Sequence, residues 1–258
     1  MAQVTTADGV RIAYEVTGSG PVLVLVHGLT ESRRAWDPLL ADLARDHAVV
    51  AVDVRGHGGS SPGSTYEPPV LADDLAAVLA DAGRADPLVV GHSMGGVIVT
   101  AFAAAHPCRG VINVDQPIEL GGFQELVRGV EPLLRGDGFE AFMESLFATL
   151  QGPLPADEVA RLDALSHPVR EVVLGMWAPV LELPPAELDA LVRSLTSAVR
   201  VPYLAIHGDD PGATYAPWLE EAIPTATLEV WEGSGHYPHL LHPERFTQRV
   251  RTFESALA

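Results

Sequence analysis

The 258-residue chain has room for one large α/β domain with an insert, and suits two equal domains less well. It is 47% hydrophobic and 19% charged, which fits a globular chain with a sizeable core. The net charge of −18, with 16 basic residues that are all arginine, argues against nucleic acid and anionic membranes as partners and excludes lysine Schiff-base or P-loop chemistry.

The first residues have neither a basic start nor an apolar core region, so no secretion signal is expected and a cytoplasmic location is the default. Gln3 to Thr6 and Arg11 to Thr17 are strand-like and joined by the turn pair Asp8-Gly9, which predicts a hairpin. Val22 to Val26 is an uninterrupted apolar strand, as expected when both faces are covered. Ser32 to Arg45 has helical spacing at Trp36, Leu39, Leu40 and Leu43; His47 to Val52 is the next strand and Leu71 to Ala82 the next helix. Leu88 to Val90 is a strand, Val97 to Ala105 a helix and Val111 to Val114 a strand. Cys108, the only cysteine, stands in His106-Pro107-Cys108-Arg109 and reads as a helix end, not a nucleophile; no intrachain disulfide can form.

This alternation predicts a mostly parallel sheet with helices on both faces. From about Ile118 to Ala198 the rhythm stops. Helical pieces run over Phe123 to Leu134, Phe139 to Leu150, Ala156 to Leu165, Val169 to Leu174 and Pro185 to Leu195, without convincing strands. The sheet resumes at Val201 to Ile206, followed by a helix near Tyr215 to Ala222, a strand at Thr227 to Trp231 and a last helix from Pro243 to Leu257. The expected division is therefore a core over 1–117 and 199–258 with a helical cap over 118–198. No apolar stretch is long enough to span a bilayer.

The segment Gly91-His92-Ser93-Met94-Gly95-Gly96 sits between a strand and a helix. G-x-S-x-G in that context presents a serine on a sharp turn, with glycines allowing the close approach such a turn needs. Ser93 is thus the candidate nucleophile; it needs a base, and the base needs an orienting acid. Of ten histidines, His236 stands out, in Gly233-Ser234-Gly235-His236-Tyr237-Pro238 between the last strand and the last helix. His239 and His242 follow at three-residue spacing, but Pro238 and Pro243 break the segment and no second ligand cluster appears, so no metal is expected. His57 and His92 are expected to line the site or brace loops. Asp53 and Arg55 are expected to brace. An oxyanion hole needs two aimed donors; the Met94 amide and the Leu29 amide, in His27-Gly28-Leu29-Thr30, are the candidates.

With these pieces in order, the chain resembles the α/β-hydrolase superfamily, in its branch of small esterases, enol-lactonases, carbon–carbon hydrolases and cofactor-free haloperoxidases. The matching segments are Val26-His27-Gly28, Asp53 to Ser60, Gly91 to Gly96, Ile206-His207-Gly208-Asp209-Asp210-Pro211 and Gly235-His236-Tyr237-Pro238, over nearly the whole chain. The resemblance implies an eight-stranded, mostly parallel sheet with a helical cap. It implies hydrolysis of a small, mainly uncharged ester, thioester or lactone through an acyl-enzyme on Ser93, without cofactor. Carbon–carbon hydrolysis, perhydrolysis and a non-enzymatic ligand sensor with a retained triad are the alternatives. One departure concerns the acid: the family position falls on Pro211, so Asp210, one residue early, is preferred, with Asp115 at the end of the Val111–Val114 strand as the alternative. Trp177, Phe142, Phe123 and Met143 are the expected substrate contacts, a small molecule the expected partner, and a monomer or homodimer the expected assembly.

Overall fold

The computed structural model describes residues 1–257. One eight-stranded sheet runs in the order β1-β2-β4-β3-β5-β6-β7-β8. β1 (Ala2–Thr5) and β2 (Arg11–Gly18) form the expected hairpin, and β2 also pairs antiparallel with β4 (Ala48–Val52). β3 (Val22–Val26), β5 (Leu88–His92), β6 (Gly110–Val114), β7 (Tyr203–His207) and β8 (Ala226–Val230) continue the sheet in parallel from β4.

β3 to β7 are buried along their whole length, as their unbroken apolar runs require. The period of two decides which helix layer each residue meets. Val22, Val24 and Val26 pack in the layer that holds Leu75 and Val78 of α2 (Pro68–Asp81) and Ile98 and Phe102 of α3 (Met94–Ala105). Leu23 and Leu25 pack instead with Leu39 and Leu43 of α1 (Asp37–Leu43) and Phe246 and Val250 of α13 (Pro243–Ser255). Each fully buried leucine contributes roughly 1.5–3 kcal/mol relative to exposure, and a one-residue slip of β3 would exchange its leucines and valines between the layers and mismatch the packing of both.

Between β6 and β7 the described residues form seven helices and no strand: α4 (Gly121–Gly129), α5 (Glu131–Arg135), α6 (Phe139–Gln151), α7 (Ala156–Leu165), α8 (Arg170–Met176), α9 (Ala178–Glu182) and α10 (Pro185–Thr196). They share an apolar cluster of their own, built on Val127, Leu134, Phe139, Met143, Val173 and Val180. The single helix expected over Phe123 to Leu134 is two. Pro132 lacks an N–H and collides with the carbonyl four residues back, so the chain breaks at Val130. α2 begins at Pro68, a turn before Leu71, because proline suits the first turn of a helix. α9 and α12 (Pro238–Leu241) were not expected; helices of four or five residues carry too few apolar repeats to register. α7 and α11 (Tyr215–Ala222) match the expected bounds.

Candidate active site

In a parallel sheet, the residues that follow each strand gather at its carboxyl edge. Here that edge collects the loops after β3 (His27 to Ser32), β5 (Ser93), β6 (Asp115 to Pro117), β7 (Gly208 to Gly212) and β8 (Trp231 to Tyr237). Among the described residues four non-glycine residues have positive φ, and three of them, Thr30 (65°), Ser93 (51°) and Asp115 (53°), lie in these loops. Backbone strain of this kind persists only where the surroundings enforce it.

Ser93 sits between β5 and α3 with φ 51° and ψ −127°. The turn is this tight because two glycines permit it. A Cβ on Gly91 would meet the Gly95 carbonyl oxygen at 2.1 Å, and one on Gly95 would meet that of Val26 at 2.4 Å. The Ser93 amide donates to the Val114 carbonyl at 2.9 Å, while its hydroxyl makes no hydrogen bond among the described residues. Met94 opens α3, so its N–H belongs to the first helical turn, where intrahelical partners are missing. The Leu29 N–H likewise has no partner among the described residues, and Leu29 and Met94 both line the cavity that holds Ser93.

His236 also lines that cavity. Its Nδ1 lies 2.7 Å from Asp115 Oδ2, and Asp115 Oδ1 accepts the Gly208 N–H at 2.8 Å. Burial would raise the Asp115 pKa, but the bond and charge of His236 and the Gly208 amide hold it below the ordinary carboxylate value. Asp210, the preferred acid on sequence grounds, is not there. It is exposed and turns back to accept the Gly212 N–H at 2.9 Å. The β7 loop folds the Asp210 carboxylate back on itself, with no hydrogen bond to the imidazole among the described residues. Asp115 reaches instead because parallel pairing of β6 with β7 sets its strand end beside Gly208.

The cavity measures about 360 Å³, within the usual range for small-molecule sites, and its lining is almost wholly apolar. Trp177 and Phe123 line it, packed edge to face with ring centroids 5.6 Å apart. Phe142 and Met143, also expected to touch substrate, do not line it. Met143 is fully buried in the cluster among the helices, and Phe142 packs against that cluster. α6 turns Leu146, Phe147 and Leu150 to the cavity instead. Sequence reasoning also missed the contributions of α10, namely Leu188, Leu191, Val192 and Leu195, whose helical spacing was visible but whose partner was not.

The other histidines have separate tasks. His57 donates from Nδ1 to the Arg55 carbonyl and accepts the Thr30 N–H at Nε2, both at 3.0 Å; burial pushes its pKa down to about 3. His27 bridges the Gly28 carbonyl and the Val54 N–H in the same manner. His239 is buried against Trp36 and His92, and His242 meets Ser234 Oγ at 3.1 Å. Among the described residues no group of three or more His, Cys, Asp or Glu side chains is arranged to hold a metal. Asp53 and Arg55 brace loops: Asp53 accepts from Arg33 and Gly59, and Arg55 forks onto Asp74. Burial raises the Cys108 thiol to about 11, which leaves it unreactive at neutral pH. No helix among the described residues is long and apolar enough to cross a membrane.

A model of the alpha/beta hydrolase family matches residues 23–249. The chain belongs to this family. The α/β-hydrolase resembles a solved esterase from Rhodococcus sp. ECU1013, with TM-score 0.76 and 31% identity, over 100% of this chain and 99% of that one. A non-heme haloperoxidase of Rhodococcus erythropolis is 30% identical over 92% of this chain and 93% of its own length. A pimeloyl-[acyl-carrier protein] methyl ester esterase of Aeromonas hydrophila is 28% identical over 94% and 98%. This α/β-hydrolase is thus a hydrolase whose relatives include named esterases.

Proposed function

We propose that this α/β-hydrolase cleaves a mainly uncharged carboxylic ester, thioester or lactone through an acyl-enzyme on Ser93. One observation carries the reading: a serine on a strained turn shares an apolar cavity with a histidine whose Nδ1 is 2.7 Å from a half-buried carboxylate. Ser93 Oγ attacks the carbonyl carbon and its proton passes to His236 Nε2. Asp115 holds the ring so that Nδ1 keeps its proton and Nε2 is free to accept. The Leu29 and Met94 N–H groups receive the oxyanion. His236 then returns the proton to the leaving alcohol, the C–O bond breaks, and the acyl group stays on Ser93. Water attacks that ester as His236 takes its proton; the acid departs and the hydroxyl is restored.

The lining supports an uncharged substrate, because a charged chain would lose its hydration among these side chains without a partner. The helical region 118–198 acts as a cap that sets chain-length preference, with Trp177 and Phe123 in its wall. A panel of p-nitrophenyl esters of rising chain length, run beside lactones, tests this. Turnover should rise with chain length and then fall; Trp177→Ala should move the optimum to longer chains. A flat profile in both proteins contradicts the assignment of the cavity. Perhydrolysis on the same serine is a second reading, favoured by the similarity to the Rhodococcus erythropolis haloperoxidase. Peroxide-dependent halogenation in acetate that exceeds ester turnover would select it.

A further inference from the structure

Glu31 is a carboxylate buried to 4% exposure, with no ion pair to an arginine among the described residues, next to the reacting groups. A lone buried charge is costly, and well-packed apolar residues often serve stability as well. Its bonds have a pattern that stability does not explain. Oε2 accepts the Gly28 N–H at 3.1 Å, and Gly28 immediately precedes Leu29. Oε1 accepts the Tyr237 hydroxyl at 2.8 Å, and Tyr237 immediately follows His236. His92, the residue before Ser93, lies alongside: its Nδ1 is 3.7 Å from Glu31 Oε2, and its Nε2 donates to the His236 carbonyl at 2.8 Å. The His92 ring also packs on that of His236, centroids 4.7 Å apart. Glu31 itself does not line the cavity.

We propose that Glu31 is a positioning residue that ties the loop carrying the Leu29 oxyanion donor to the loop carrying the base His236. This rests on the serine-hydrolase reading above. The β3 and β8 loops lie far apart in sequence, and one carboxylate gives each a fixed hydrogen-bond partner next to its working residue. Burial raises its pKa, but the adjoining His92 ring and the Tyr237 hydroxyl outweigh burial and bring it down to about 2.

The test compares Glu31→Leu, Glu31→Gln and Tyr237→Phe with wild type, in kcat, KM and thermal unfolding on one ester. Glu31→Leu removes both bonds and should lower kcat about a hundredfold, the scale of an ångström-level misplacement of reacting groups, with KM within about threefold. Glu31→Gln can still accept from Gly28 and donate to Tyr237 Oη, so it should recover to within about tenfold of wild type. Tyr237→Phe frees only the base loop and should lose about tenfold in kcat; it decides the matter should the leucine variant not fold. The proposal is overturned if Glu31→Leu folds and turns over like wild type. It is also overturned if the loss lies in KM or in melting temperature alone, or if glutamine rescues no better than leucine. Failure of the underlying reading is distinct: wild type would then neither hydrolyse the ester nor take a fluorophosphonate on Ser93.

Discussion

Asp115→Asn isolates the pair that holds the base. Asparagine keeps the shape but offers one acceptor and one NH2 where aspartate offers two acceptors. The Gly208 N–H can only donate, at 2.8 Å, so the new carbonyl must stay on it; reversing the amide would oppose two donors and cost about 1–3 kcal/mol. The NH2 group then faces His236 Nδ1 across 2.7 Å. Nδ1 is forced to accept, the ring proton moves to Nε2, and His236 can no longer take the proton of Ser93. The loss expected from a wrong tautomer in such a triad is about 10⁴ in kcat. That corresponds to about 5.5 kcal/mol of barrier. Steady-state hydrolysis of a p-nitrophenyl ester measures it, with circular dichroism as the check on folding. Asp210→Asn is the control: among the described residues that side chain bonds the exposed Gly212 amide and not His236, and the change should leave turnover within about threefold. An Asp115→Asn enzyme that keeps more than about a hundredth of wild-type kcat, or an equal collapse in Asp210→Asn, refutes the reasoning.

Gly208→Ala should be nearly as damaging without touching a titratable group, since its Cβ would meet the Gly235 carbonyl oxygen at 1.7 Å and push the His236 loop off Asp115; wild-type kcat in a folded variant would contradict the loop packing. Stability should fall on mild acidification. Burial lowers the pKa of His27, His57, His207 and His239, so below the ordinary value of 6.5 the unfolded chain binds protons that the native one refuses. For His57, at about 3 when folded, the loss between pH 6.5 and pH 5 is about 2 kcal/mol. Urea midpoints at pH 7 and pH 5 read it directly, and equal midpoints would show these rings to be hydrated.

Elements whose signal is local were legible in the sequence. The hairpin at Asp8-Gly9, the apolar strand at Val22, the elbow around Ser93 and the helices at Ala156 and Tyr215 each depend on neighbours within a few residues. What depended on tertiary register was not. Asp115 and Asp210 both stand at strand ends, and only the pairing of β6 with β7 and the course of the β7 loop decide which meets His236. The positive φ of Asp115 leaves no mark in its residue type. Phe142 and Met143 look like pocket residues by chemistry, yet the rotation of α6 turns them inward. Glu31 carried no sequence signal, because its partner Tyr237 lies 206 residues away on another loop.

In the proposed reaction Ser93 is the group that attacks. Incubation of the wild-type protein and Ser93→Ala with a fluorophosphonate, followed by intact mass and peptide mapping, tests it most directly. The expected result is one adduct per chain, on Ser93, loss of ester hydrolysis in step with labelling, and an unlabelled alanine variant with less than about a thousandth of wild-type turnover. Labelling at another residue, or an alanine variant that still hydrolyses the ester, would contradict it.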